Sequence, residues 1–284
     1  MKRTISRIER PVPEPGFLGE GHTAVPVVRP EEFERNDPFI LLMDDRVHLK
    51  GDRPAGGPHP HAGFETVTFV LEGRLPYHDR SGVGHLEAGD VQWMTAGRGI
   101  IHSETIDRAT DLRILQLWLT LPKKNRWVDP ASQDIRGGSV PVRQEHGAEL
   151  RLYSGSSGSF KSPTRNHVPV TLADIRLDPK ASIEQDLEHT YNGFVYSLEG
   201  SVRIGGQVLR AGDVGWLDRT TGKGTDTLRI SAEGSSARVM LYAARMQHEP
   251  IVHHGPFVGD TNEDIVRAYQ NYRAGHMGHI SALR

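Results

Sequence analysis

The chain has 284 residues, 36% hydrophobic and 25% charged, with 31 glycines and 18 prolines, a composition suited to one large domain or two smaller ones built from short elements joined by tight turns. Its formal net charge of −2 is spread along the chain in both signs, so no basic face for direct nucleic-acid binding is expected. Without cysteine there are no disulfides, thiolate nucleophiles or thiolate metal sites, and His, Asp and Glu remain as the strong metal ligands. The opening residues lack the apolar stretch of a signal peptide and no 18-residue apolar run occurs, so a cytoplasmic protein without a membrane anchor is expected.

In chain order, residues 63–71, 83–94 and 112–121 read as strands, rich in Val, Ile, Leu, Thr and aromatics and separated by turn chemistry such as "EGR", "DRSG" and "AGRG". Residues 126–147, with Pro130, Gly137, Gly138 and Pro141, read as a linker. The unit then repeats. "FVLEGRL" followed by "LEAGDVQW" in the first half matches "YSLEGSV" followed by "LRAGDVGW" in the second, so that Gly73 recurs as Gly200 and Asp90 as Asp213. An all-β protein of two tandem antiparallel barrels follows, residues 1–135 and 136–284. It ends in one short helix, whose signals are Thr261 as N-cap, Asp264 three residues on, and Ile265, Ala268, Tyr269 and Tyr272 at helical spacing before Gly275.

Chemistry gathers in the first half. His59 and His61 stand one residue apart around Pro60, and side chains at i and i+2 of a strand share a face. His102 and Glu104 form a second pair of that spacing in "GRGIIHSE". Three imidazoles and a carboxylate suit one divalent transition metal, Fe(II), Mn(II), Co(II), Ni(II) or Cu(II), with zinc less suggested. At the repeat's spacings, Asp186 and Glu188 stand where His59 and His61 do, and Thr225 and Thr227 where His102 and Glu104 do, so the scaffold repeats and the ligands do not. His253, His254, His276 and His279 read as exposed polar residues, and His78 and His85, flanking a hairpin turn, as solvent or rim residues. Trp93, Trp118 and Trp216 read as core, while Met94 and Gln116 could face the cavity.

"HPHAGFETVTFVLEG", "AGDVQWMTAGRGIIHSE", "LQLWLTLP" and "EPIVHHGPFVGDTNEDIVRAYQNYRAG" together resemble the pirin family of the cupin superfamily. The resemblance implies a bicupin fold with metal in the first barrel only, an iron site on His59, His61, His102 and Glu104, and a degenerate second barrel. The general cupin pattern would take its carboxylate from Glu65, which shares strand parity with His61; pirins resemble cupins there but use the Glu of the His-x-Glu pair. Glu65 is then a neighbouring or structural glutamate, and either Glu104 or Glu65 is the candidate base. The function implied is quercetin 2,3-dioxygenase-type chemistry, opening a small aromatic flavonol with O₂ at Fe(II). The alternative implied is a non-catalytic regulator whose metal redox state alters a surface for a protein partner. A cupin-type sugar isomerase ranks last, since Arg80 and Arg98 stand alone as phosphate-binding groups.

Overall fold

The computed structural model describes residues 2–50, 56–104, 106 and 110–280. It falls into two compact units, one of Pro13–Gly138 with His248–Arg284 and the other of Met1–Val12 with Ser139–Gln247. A single cut at 135/136 therefore does not describe the division. Each chain end pairs with the opposite half: the strand Ile5–Glu9 adds to a sheet edge beside Val214–Leu217, and the backbone N–H of Val258 donates to the carbonyl of Ala62 at 2.9 Å.

The first unit is a barrel of two sheets. Its strands are β1 (His22–Val28), β2 (Phe39–His48), β3 (His59–His61), β4 (Phe64–Glu72), β5 (Arg74–Asp79), β6 (Gly82–Glu87), β7 (Val91–Thr95), β8 (Ile100–Glu104), β9 (Asp111–Thr120) and β10 (Ala131–Ile135). One sheet runs β10-β7-β4-β9-β2-β1, extended by Glu14–Pro15, and the other β3-β8-β5-β6, all antiparallel. The predicted strand over 83–94 is two strands, because the turn before Asp90 carries the chain from one sheet to the other. The supposed linker is also partly strand, since Ala131–Ile135 pairs with β7 along its whole length. A deep apolar cluster that includes Val47, Val70, Leu75, Leu86, Leu112 and Ile114 fills one part of this barrel.

The second unit repeats the plan with β11 (Ala148–Ser154), β12 (Val170–Leu177), β13 (Ser182–Glu188), β14 (Tyr191–Glu199), β15 (Val214–Leu217), β16 (Thr225–Ala232) and β17 (Ala237–Arg245). The repeat extends to a buried ion pair. Arg113 clasps Asp44 through Nε and Nη2 at 2.9 and 2.8 Å, and Arg238 clasps Asp174 the same way at 3.0 and 2.9 Å. Such a bidentate pair satisfies both partners and fixes the register of adjacent strands. Anchored there, strand pairing aligns His22 opposite Val47 with Ala148 opposite Leu177. The pairing of Asp186 with Thr227 does not stand in for that of His59 with His102, since Asp186 is exposed and bonds Thr227 at 2.8 Å on the exposed side. Thr225, Thr227 and Arg229 alternate with the buried Asp226, Leu228 and Ile230, so the spacing that sets Thr225 and Thr227 against His102 and Glu104 places them on the outer face of the second barrel.

The helix is as expected. α1 (Asn262–Arg273) starts at Thr261, whose hydroxyl accepts from the Asp264 N–H while Asp264 accepts from the Thr261 N–H, a reciprocal capping box. No helix among the described residues is long and apolar enough to cross a membrane.

Candidate metal centre

Backbone geometry brings the imidazoles together. Pro60 keeps β3 extended, so His59 and His61 project from one face, and the antiparallel partner β8 sets His102 directly opposite His59. Ring centroids lie 4.3 Å apart for His59 and His102, 4.9 Å for His59 and His61, and 5.0 Å for His61 and His102. One nitrogen from each ring falls within 4.8 Å of the others, the single such group of three among the described residues. His253, His254, His276 and His279 join no comparable cluster there.

Two features suit these rings to a metal. His61 and His102 are 5% and 1% exposed, yet Nδ1 of His61 and both ring nitrogens of His102 have no hydrogen-bond partner among the described residues. Buried polar atoms are ordinarily paired, so orphans that converge mark a place for a ligand. His59 also donates from Nδ1 to the Gly57 carbonyl at 2.8 Å, which fixes its tautomer and leaves the other nitrogen's lone pair free for coordination.

The electrostatics agree, since ligating imidazole must be neutral. Burial first, and the neighbouring His59 second, push His61 from 6.5 down to about 3, against a smaller pull from the Pro256 carbonyl. Burial first, then the neighbouring His61 and His59, hold His102 well below the ordinary value. An unfolded chain takes up protons that these rings refuse, so metal-free protein should lose stability as the pH falls from 6.5 toward 3. His61 alone accounts for about 2 kcal/mol of that loss by pH 5. Glu104 opposes them: burial raises its pKa, so stability withheld at neutral pH returns as the pH falls through that raised value. Thermal melts of stripped protein at pH 7 and 5 check the net loss; a higher midpoint at pH 5 would contradict it.

Glu104 lines the same cavity as His59 and His61 but lies outside the group of three. Its Oε1 is 3.1 Å from the Thr68 hydroxyl, which is also 2.7 Å from Oε1 of Gln116. One hydroxyl proton serves one acceptor, so all three groups are satisfied when the Gln116 amide presents its NH₂, Thr68 accepts from it, and Thr68 donates to Glu104. Glu65 does not reach this cavity. Gly63, at φ +88, breaks the strand between β3 and β4, and parity counted from His61 does not carry across. On β4 it is Thr66 and Thr68 that pair with Trp118 and Gln116 of the cavity wall. Glu65 faces the other way, wholly buried, and accepts from Thr95 at 2.8 Å.

The cavity measures about 480 Å³, within the range that holds a drug-sized molecule. Much of its lining is apolar, including Val47, Ile106, Ile114 and Trp118. Trp118, expected in the core, instead borders the cavity, its ring 5.3 Å from His61 and 4.3 Å from Phe64. Gln116 faces the cavity and Met94 is not part of its lining. Two polar residues of the wall, His22 and Asp45, bonded at 2.8 Å, carry no signal in the sequence because they lie far apart in the chain. In the second barrel the matching interior is solid: Ala148, Ile175, Val195, Leu241 and Ala243 belong to one aliphatic cluster.

Comparison with known proteins gives a consistent picture. The family model described as Pirin matches residues 23–119, and the one described as Pirin C-terminal cupin domain matches residues 172–278. Pirin-like protein 2 of Arabidopsis thaliana is 34% identical, the match covering 95% of this chain and 86% of that protein. The crystal structure of GK1651 from Geobacillus kaustophilus superposes with a TM-score of 0.82 at 36% identity, covering 88% of this chain and 99% of that one. A structure named quercetin 2,3-dioxygenase from Acinetobacter baumannii superposes with a TM-score of 0.87 at 26% identity, covering 99% of this chain and 100% of the other.

Proposed function

The chain belongs to the pirin family, and from that premise we propose that it holds one iron(II) on His59, His61, His102 and Glu104 and opens a flavonol ring with O₂, as a quercetin 2,3-dioxygenase does. The observation that carries this reading is the convergence of three imidazoles, those of His61 and His102 buried with unpartnered nitrogens, on a largely apolar cavity that also presents Glu104. The whole-chain likeness to the Acinetobacter baumannii quercetin 2,3-dioxygenase supports the choice of reaction.

A bound divalent iron supplies Lewis acidity and a template for adjacent oxygens. The chain's own residues do the rest. Val47, Ile114 and Trp118 offer a flat apolar wall against which an aromatic ligand packs and from which water is displaced. Glu104, which lines the same cavity, takes the proton of the flavonol 3-hydroxyl. Thr68, in turn held by Gln116, orients that carboxylate. Glu65, on the opposite face of β4, has no part in this step.

The test is iron-loaded protein with quercetin, following flavonol absorbance and dissolved oxygen together. Loss of quercetin under air with about one O₂ consumed per flavonol, and none under nitrogen, is expected. Iron-loaded protein that leaves quercetin intact under air would overturn the proposal.

A further inference from the structure

We infer that His22 and Asp45 form a hydroxyl-binding subsite in the cavity wall, in which Asp45 accepts a hydrogen bond from a phenolic hydroxyl other than the one held at the metal. The inference rests on the flavonol reading above and narrows it to polyhydroxylated aromatics.

The geometry is directional. The backbone N–H of Leu18 donates to Nδ1 of His22 at 3.2 Å, so the ring proton sits on Nε2 and is donated to Oδ1 of Asp45 at 2.8 Å. His22 is thereby a positioning residue. It fixes the Asp45 carboxylate, which also borders the cavity, with acceptor capacity beyond the one bond to His22. The neighbouring turn is shaped around the imidazole: a Cβ at Gly16 would lie 2.2 Å from its ring, and the Phe17 ring meets it edge-on at 5.2 Å. These residues stand on β1 and β2, in the sheet opposite the one that carries His59, His61 and His102. A ligand gripped at the imidazole cluster would meet Asp45 with a different part of itself.

A buttressing role for the pair is weighed by the second barrel. The strands matching β1 and β2 hold the same register with Ala148 and Ile175 at these two positions, both packed in the aliphatic cluster. The fold therefore does not require a polar pair there. It occurs in the barrel that has the imidazoles and the cavity, and is lost together with them in the other.

The experiment uses zinc-loaded protein under nitrogen, where no turnover occurs, and measures binding by quenching of tryptophan fluorescence. Quercetin is compared with 3-hydroxyflavone, which keeps the chelating 3-hydroxyl and 4-oxo groups and lacks the other hydroxyls. Asp45→Asn should weaken quercetin binding about tenfold, the scale of a hydrogen bond to a charged acceptor, and leave 3-hydroxyflavone unchanged. His22→Gln should do the same to a smaller degree, and it carries the comparison if Asp45→Asn loses its zinc. Unaltered quercetin binding, or equal weakening of both flavonols with zinc retained, would overturn the inference. Wild-type protein that binds neither flavonol would instead overturn the flavonol reading on which it rests.

Discussion

His102→Ala should leave the protein without metal under conditions in which wild-type protein carries about one equivalent per chain. His102 is 1% exposed and stands opposite His59 in the strand pair that closes the site. Its removal takes away one of three imidazoles and leaves two on one strand with a carboxylate outside their cluster. Loss of groups that merely orient a ligand costs about 10- to 100-fold in metal affinity, so loss of a ligand should cost more. Thr227→Ala, in the second barrel, should change nothing. Elemental analysis of the dialysed variants reads both; metal retained by His102→Ala would mean that the ion sits elsewhere.

Arg126→Met should lower stability by about 3–5 kcal/mol, the cost of leaving a buried charge unpaired. The Arg126 side chain is wholly buried. It donates from Nε to Asp260 at 2.8 Å, and from Nη1 to the Gly63 carbonyl at 3.0 Å and the Thr120 hydroxyl at 3.2 Å. Gly63 is the corner between the histidine strand and β4. A Cβ there would come within 1.8 Å of the Val258 carbonyl, so the corner has no slack to find new partners. Met fills most of the volume, keeps no donor, and strands Asp260 together with a buried carbonyl. Calorimetry should show a fall of roughly 10 °C in the melting of this unit. A second substitution, Asp260→Asn, should recover part of the loss by removing the unpaired charge. A shift near zero would mean that Asp260 finds water or another partner.

The imidazole cluster is legible in the sequence because strand geometry is local: an i, i+2 pair around a proline needs only an extended backbone to aim both rings one way. The helix was legible for the same reason, its cap and third residue lying within one turn. What failed depended on geometry between elements. Glu65 was counted in phase with His61, and the left-handed backbone of Gly63 resets that phase. Thr225 and Thr227 stand at the sequence spacing of His102 and Glu104, yet their strand buries Asp226, Leu228 and Ile230 and turns the threonines outward. Residues 131–135 read as linker because a short edge strand of "ASQDI" lacks the apolar alternation that burial on one face imposes. His22 and Asp45 leave no trace at any fixed spacing. Only the pairing of β1 with β2 brings them together, and only the repeat, with Ala148 and Ile175 in their places, shows that the fold could do without them.

Diffraction from crystals of metal-loaded protein, collected at the absorption edge of the bound metal, would place the ion without reference to activity. One anomalous peak among His59, His61 and His102, with a Glu104 oxygen at about 2.0–2.2 Å, is expected, together with none in the second barrel. A peak among His253, His254, His276 and His279, or no peak between the three imidazoles, would contradict the assignment of the site.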